Sequence, residues 1–258
     1  MDPVFRHVAA CNTAVLPGRR ILLHVASQVV GYVQPDFAAR LERHGVSHDG
    51  CGLHVSPARL PVLARLLSED GAFSWRGEAF DVHAHPDGPA LTTIDRGALP
   101  LFGIGAVGAH LNAMVEGEGG LRLWVARRAA DKRLDPGKLD HLVAGGVPAG
   151  LSPWETLLKE AGEEAGLPAE LVTPARAVAT LDYAMERPEG LRRDRLQCYD
   201  LMLPESFVPE ARDGEVESFE LWPMQDVLDR VRATDDFKFN VSLVLIDLFR
   251  RLGMLPRG

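Results

Sequence analysis

Residues 145 to 167, GGVPAGLSPWETLLKEAGEEAGL, constrain the fold more than any other segment. Ser152 is placed to be an N-cap, Pro153 to occupy the first helical position, and Glu155 to complete an S-x-x-E capping box. Gly166 is placed to end the helix in the left-handed conformation. Trp154, Leu157, Leu158, Ala161 and Ala165 follow a helical stripe, the predicted packed face. Glu160, Glu163 and Glu164 are related by i+3 and i+4, which puts their carboxylates on the other face. Gly162 lies mid-helix, at about 0.8–1 kcal/mol relative to alanine, and suggests close packing against the backbone there. Two unit charges ~6 Å apart at an effective dielectric of ~20 repel by roughly 3 kcal/mol. Solvent exposure reduces that to about 0.2–0.5 kcal/mol. Spacing alone therefore admits a solvated acidic face or a site for hard divalent cations, which take carboxylate oxygens.

The punctuation elsewhere divides the chain near residue 100. In residues 1–100, RILLHV and VVGYV, split by Ala26-Ser27-Gln28, predict a hairpin or paired strands. Pro35 opens the short helix DFAARLERHG, closed by Gly45. CGLHVS reads as a strand, and Ser56-Pro57 as the cap and first turn of PARLPVLARLLSEDG. FSWRGEAFDVHAH alternates weakly, as one or two strands. HPDGPALTTIDRGALPLFG carries three prolines and several glycines and is assigned as a linker.

In residues 101–258, VGAHLNAMV and LRLWVARR flank Glu116-Gly117-Glu118-Gly119-Gly120, a hairpin signal. LDHLVAGG is a short apolar strand running into paired glycines. RAVATLDYAM and LQCYDLMLP are two strands around a charged turn at Glu186 to Arg195, and SFELW is a further strand. Pro223 starts the helix PMQDVLDRVRA, and NVSLVLIDLFRRLG is an apolar C-terminal helix. Strands interspersed with helices indicate a mixed sheet covered by helices, α+β or α/β in class.

A chain of 258 residues admits one large domain or two modest ones. The net charge of −8 argues against nucleic acid and anionic membrane as partners. Cys11, Cys51 and Cys198 form neither a disulfide framework nor a zinc pattern, which suits a reducing cytosol. The N-terminus lacks the apolar core of a secretory signal, and no apolar run approaches membrane-spanning length. The expectation is a soluble, cytoplasmic protein.

The 145–167 stretch resembles the Nudix box, G-x5-E-x7-R-E-U-x-E-E-x-G-U, where U is a bulky apolar residue. Gly145 takes the first position, Glu160 the glutamate after the arginine, Glu163 and Glu164 the pair, and Gly166 and Leu167 the end. Leu151 stands in place of the first glutamate and Lys159 in place of arginine; lysine keeps the charge and loses the planar fork. GAHLNAMV, LWVARRAADKRLDPGKLDHLVAGGVPAGLS, KEAGEEAGL, CYDLMLPESFVP and DGEVESFELWP further resemble one branch, the relatives of fungal thiamin pyrophosphokinase fusions and plant plastid homologues. That branch tends to carry the same two departures and an N-terminal domain of similar length. The resemblance implies a small α+β domain over residues 1–100 followed by a Nudix α/β/α sandwich with a mixed sheet over 101–258. It also implies Mg2+- or Mn2+-dependent removal of phosphate from thiamin diphosphate, preferentially its oxo- and oxythiamin forms.

On that reading Glu160, Glu163 and Glu164 hold the ions, with Glu160 and Glu164 the principal ligands and a backbone carbonyl added from Ala144. Glu163, Glu164, Lys159 and Glu215 are the candidate catalytic groups, with Glu215 preferred to Glu217 as the general base; a polar turn is the alternative for both. Gly145 and Gly146 allow phosphate to approach the backbone. Arg127, Arg128, Lys132, Arg133 and Lys138 form a basic stretch, either a solvated loop or a diphosphate contact through Arg127 and Lys138. His110 and Asn112 line the substrate site or are hydrogen-bonded structural groups, and Asp140 belongs with them. His44, His48, His83 and His85 lack a third ligand and read as surface histidines. Trp124 and Trp222 are core residues or stacking partners. The implied partner is a small-molecule diphosphate; the N-terminal unit forms part of its pocket or a homodimer interface. Two alternatives remain: cleavage of a nucleoside diphosphate derivative such as an ADP-sugar or dinucleotide, and a ligand-sensing module that does not cleave.

Overall fold

The computed structural model describes residues 2–212 and 214–256, and among these the strands form three sheets. After α1 (Phe5–Cys11), β1 (Ile21–Val25) and β2 (Gln28–Val33) make the predicted hairpin. Ala26 and Ser27 take φ of 49° and 63°, the left-handed pair that a two-residue turn between right-twisted strands needs. α2 (Pro35–Arg43) starts on its proline and is closed by Gly45 at φ 75°. β3 (Ser47–Asp49) and β4 (Gly52–Val55) form a second hairpin, and β4 runs parallel to β1, giving the order β2-β1-β4-β3. β3 is exposed throughout and so carries no apolar signal. α3 (Arg59–Glu69) has Ala58 as N-cap. Ser56 contributes to its start through the carbonyl, which accepts from Arg59 and Leu60, and not through the predicted hydroxyl cap.

The segment assigned as a linker is structured. β5 (Ala79–Val82) pairs antiparallel with β6 (Thr92–Asp95), and α4 (Leu99–Phe102) follows. The Asp95 carboxylate accepts from the backbone N–H groups of Arg76, Gly77 and Gly97, and Ile94 and Phe102 are buried in the first core. Pro86 and Pro89 lie in the loop between β5 and β6, and Pro100 sits at the start of α4, where a missing N–H costs little. Punctuation residues thus mark element ends here, not a flexible tether.

The second sheet is built on the long hairpin of β7 (Ala106–Gly117) and β8 (Gly120–Arg128). LDHLVAGG divides into β9 (Leu139–His141), on β8, and β10 (Val143–Gly146), on β7. α5 (Pro153–Ala165) and α6 (Ala169–Val172) lead to β11 (Arg176–Arg187) and β12 (Gly190–Met202). Most of the predicted charged turn is strand, because Arg195 faces and pairs with Asp182 across the ladder while Tyr183 reaches Asp194. β13 (Val216–Pro223), α7 (Met224–Ala233) and α8 (Val241–Arg251) complete the fold. The order is β11-β12-β7-β8-β13, with β12 parallel to β7, so the sheet is mixed. Alternate residues of β7 serve opposite layers: Leu111 and Ala113 pack with Leu157 and Ala161 of α5, whereas Met114 packs with Val227 of α7 and Leu245 of α8. This is the expected sandwich. Val4, next to α1, belongs to the α7–α8 core, and Cys11 packs with Tyr183 and Val244.

Candidate active site

Both halves of the α5 capping box form: Ser152 Oγ accepts from Glu155 N at 3.2 Å, and the Glu155 carboxylate accepts from Ser152 N at 2.8 Å. Gly166 ends the helix at φ 60°. Leu157, Ala161 and Ala165 are buried, with Trp154 and Leu158 packed at the margin. A methyl at Gly162 would meet nothing within 4 Å beyond its own helix, so the close packing expected there is absent.

The three box carboxylates do not share one solvated face. Glu164 is 7% exposed and turned toward β10, accepting from Ala144 N at 3.2 Å, while the side chains of Glu160 and Glu163 are 18% and 54% exposed. The i+4 spacing holds, but α5 packs on β10 so that one edge of the acidic stripe is covered. Glu160 lies over Gly145, where a Cβ would come within 2.7 Å of its Cγ. Lys159 Nζ stands 3.3 Å from Glu160 and 2.7 Å from Glu163, so one ammonium serves two carboxylates. Burial pushes Glu164 well above the usual carboxylate range, and the neighbouring Glu160 adds to it. Burial also raises Glu160, against the opposing pull of Lys159.

A small cavity beside Glu164 is lined by Arg128, Asp140, His141, Ala144 and Glu215. Glu215, which ion-pairs with Lys132, is thus brought to the box, whereas Glu217 is exposed and does not line the cavity. His110, Asp140 and His141 have candidate ligand atoms all within 4.8 Å of one another. The two Nδ1 atoms are 3.2 Å apart. Burial lowers His110 well below the ordinary imidazole range and His141 to about 4, so both rings are neutral at pH 7. Burial pushes Asp140 up, but Lys238 and Arg128 outweigh it and hold the carboxylate at about 2. Arg128 donates to Asp140 at 2.8 Å and Lys238 lies 3.5 Å away.

The box and the His110–Asp140–His141 cluster differ in how they fit a cation. Asp140 already faces two positive groups, and a divalent ion there would add to an existing excess of positive charge. The box has three carboxylates and one lysine, with Glu164 buried on a single backbone N–H. That hard-oxygen, under-neutralised set fits a hard divalent cation.

The other expected residues lie as follows. His110 lines a larger cleft together with Ala144, Gly145 and Gly146. A Cβ on Gly146 would come within 2.8 Å of the Phe80 ring, so the β5–α4 segment sits directly against the box strand. Asn112 is buried and donates to Asp200, which Arg251 also holds. Arg127 donates to the Gly137 carbonyl and Lys138 to that of Asp235. None of Asn112, Arg127 and Lys138 lines either cavity. Trp124 is core, and Trp222 packs edge-on to Phe237 beneath Arg230. His44, His48 and His83 bond to Asp70, Glu42 and the Gly88 carbonyl, and His85 is largely exposed. His141, Lys238, Asn240 and Arg193 join the two cavities without any motif to mark them, since each reads locally as an ordinary polar residue in a strand or loop.

The NUDIX domain model matches residues 108–241. Two chloroplastic proteins of Arabidopsis thaliana are similar to this chain. Nudix hydrolase 20 is 43% identical over 75% of this chain and 52% of its own length. Nudix hydrolase 24 is 44% identical over 96% of this chain and 72% of its own length. The chain thus spans about half the length of the first and about seven tenths of the second. A solved structure from Deinococcus radiodurans is 23% identical with a TM-score of 0.49, covering 67% of this chain and 98% of that one. The plant relatives agree with the branch expected from the motifs. They overturn the cytoplasmic expectation, because both are chloroplastic. Charge and cysteine usage describe a folded body, which is compatible with any reducing compartment, whereas location is set by an address. A domain match across half the chain, joined to 44% identity over most of a relative's length, establishes that the protein belongs to the Nudix hydrolase family.

Proposed function

We propose that this chain is a divalent-metal-dependent hydrolase of the phosphoanhydride bond in a small organic diphosphate, releasing the monophosphate and phosphate. Thiamin diphosphate and its oxo- and oxythiamin forms are the substrates to which the branch resemblance points. The observation that carries the reading is the buried, weakly neutralised Glu164 beside Glu160, with Glu163 held by Lys159. Mg2+ or Mn2+ there would neutralise diphosphate charge and lower the pKa of bound water. Glu160 and Glu164 are the proposed ligands, with Glu163 and the Ala144 carbonyl completing the set. Lys159 positions Glu160 and Glu163 and keeps their charge tolerable without metal. Glu215 is the proposed base, supported by its place in the cavity that Glu164 lines. The division at residue 100 is part of this proposal: the first unit supplies Phe80 and its neighbours above the box strand, while α1 stays with the second.

Phosphate release from thiamin diphosphate, its oxidised analogues, ADP-ribose, NADH and nucleoside triphosphates tests this. Turnover should need Mg2+ or Mn2+ and fall on the order of a hundredfold in Glu164→Gln. Full activity in that variant would remove the metal assignment. A second reading, a nucleoside diphosphate derivative, is separated from the first by the same panel. Exclusive turnover of ADP-ribose or NADH would select it, and binding without turnover would select the sensing module.

A further inference from the structure

The larger cleft has an unusual charge balance. Arg96, Arg192, Arg193 and Lys238 line it against a single carboxylate, Asp194. Two of the cations are locally balanced: Arg96 pairs with Glu78 at 2.8 Å, and Arg192 lies 3.8 Å from Asp194. The other two are not. Lys238 and Arg128, both largely enclosed, share Asp140, and Glu164 is the next carboxylate to act on Lys238. Arg193 makes no ion pair among the described residues; it donates to the Gly103 carbonyl at 3.1 Å and stacks over Tyr32 at 4.6 Å. Beside them Asn240, 6% exposed, lines the same cleft with its buried Oδ1 lacking any hydrogen-bond partner. Burying cations without counter-charge is costly, and a native fold retains such an excess where an anion offsets it.

We propose that Arg193 and Lys238 form an anion-binding site outside the Nudix box, and that it holds the phosphate that stays on the organic part of the substrate. Asn240 Oδ1, an acceptor, suits a donor group on the organic part and not the phosphate, and Phe80 and Leu99 of the first unit, with Ile104, provide the apolar wall for that part. Ala144, whose N–H bonds Glu164, and Gly145, over which Glu160 lies, also line the cleft, so the cations and the box border the same strand. The ligand is thereby an organic diphosphate of compact, partly apolar body. Its identity as the substrate rests on the hydrolase reading; the anion site itself does not.

Titration calorimetry of the full chain with inorganic pyrophosphate, in EDTA and without divalent ions, tests the site. Pyrophosphate should bind, and Arg193→Gln and Lys238→Gln should each weaken it by about tenfold or more. Arg193→Lys should restore most of the affinity, and Arg122→Gln, which removes a cation away from the cleft, should leave it unchanged. No binding to the unaltered chain, or equal affinity in Arg193→Gln, overturns the proposal. Equal loss in Arg193→Lys and Arg193→Gln overturns it too, since Arg193 would then be only a tie to Tyr32 and Gly103. Thermal midpoints identify a variant that fails to fold; should Lys238→Gln do so through Asp140, the two Arg193 variants decide. Pyrophosphate binding in EDTA together with no metal-dependent turnover of any diphosphate would reject the hydrolase reading and leave the anion site standing.

Discussion

Replacing Gly146 with alanine probes the contact by which the β5–α4 segment reaches the Nudix box strand. The added Cβ would stand 2.8 Å from Phe80 Cζ and 3.2 Å from Cε1, against a favourable carbon–carbon separation of about 3.5–4.0 Å. Phe80 is 3% exposed, and its ring is held between the first core and β10, so it has little room to withdraw. Overpacking of this kind costs about 1–3 kcal/mol. Gly146 does not have a left-handed φ, so alanine also gains about 0.4–1 kcal/mol by restricting the unfolded chain. The net expectation is a loss of up to about 2.6 kcal/mol, read as a lower urea midpoint or as about 2–4 °C per kcal/mol in thermal midpoint. Phe80→Leu in the same background should relieve part of the loss, with a coupling of roughly 0.5–3 kcal/mol in the double-mutant cycle. A stabilised Gly146→Ala, or additive effects of the two substitutions, would refute the docking of Phe80 on this glycine.

Mg2+ or Mn2+ at a hundred times the dissociation constant should stabilise the chain by about 2.7 kcal/mol, and Glu164→Gln should abolish the gain. Because burial raises Glu164, its contribution is full below the unfolded carboxyl pKa and lost as pH rises, so the metal-free Glu164→Gln variant should melt higher than the parent at pH 7; a lower melting point would contradict the uncompensated burial. The imidazoles act in the opposite sense. His141 is depressed to about 4 and His110 also lies low, so their stability is present above about pH 6.5 and is lost as pH falls toward 4, by up to about 1.4 kcal/mol per unit for each ring. Urea unfolding at pH 7, 6 and 5 reads that slope, and a flat profile would count against two neutral buried rings. Ser152→Ala removes the acceptor for Glu155 N and should cost about 1 kcal/mol; a loss below a few tenths would mean the capping box holds little of α5.

Elements whose start, period and end coincide in one short segment are legible in the amino-acid sequence. α5 carries proline, capping box, apolar stripe and terminal glycine within its own residues, and it forms accordingly. The hairpins of β1–β2 and β7–β8 are equally local. Residues 85–103 mislead because proline and glycine mark element ends as readily as linkers, and only the Asp95 carboxylate, reaching back to Arg76 and Gly77, tells the two apart. The turn between β11 and β12 misleads because its charges are neutralised across the ladder, by partners more than ten positions away.

The candidate site divides in the same way. Sequence alone determined that three carboxylates would stand on one capped helix behind a glycine pair, because helical spacing and capping are short-range properties. It did not determine which carboxylate would be buried, what Gly146 would face, or that Lys238 and Arg193 would enter one cleft. Burial and electrostatic balance depend on groups brought together from β7, β10, β12 and the segment before α8. Those distances are set only when the sheets and their covering layers pack.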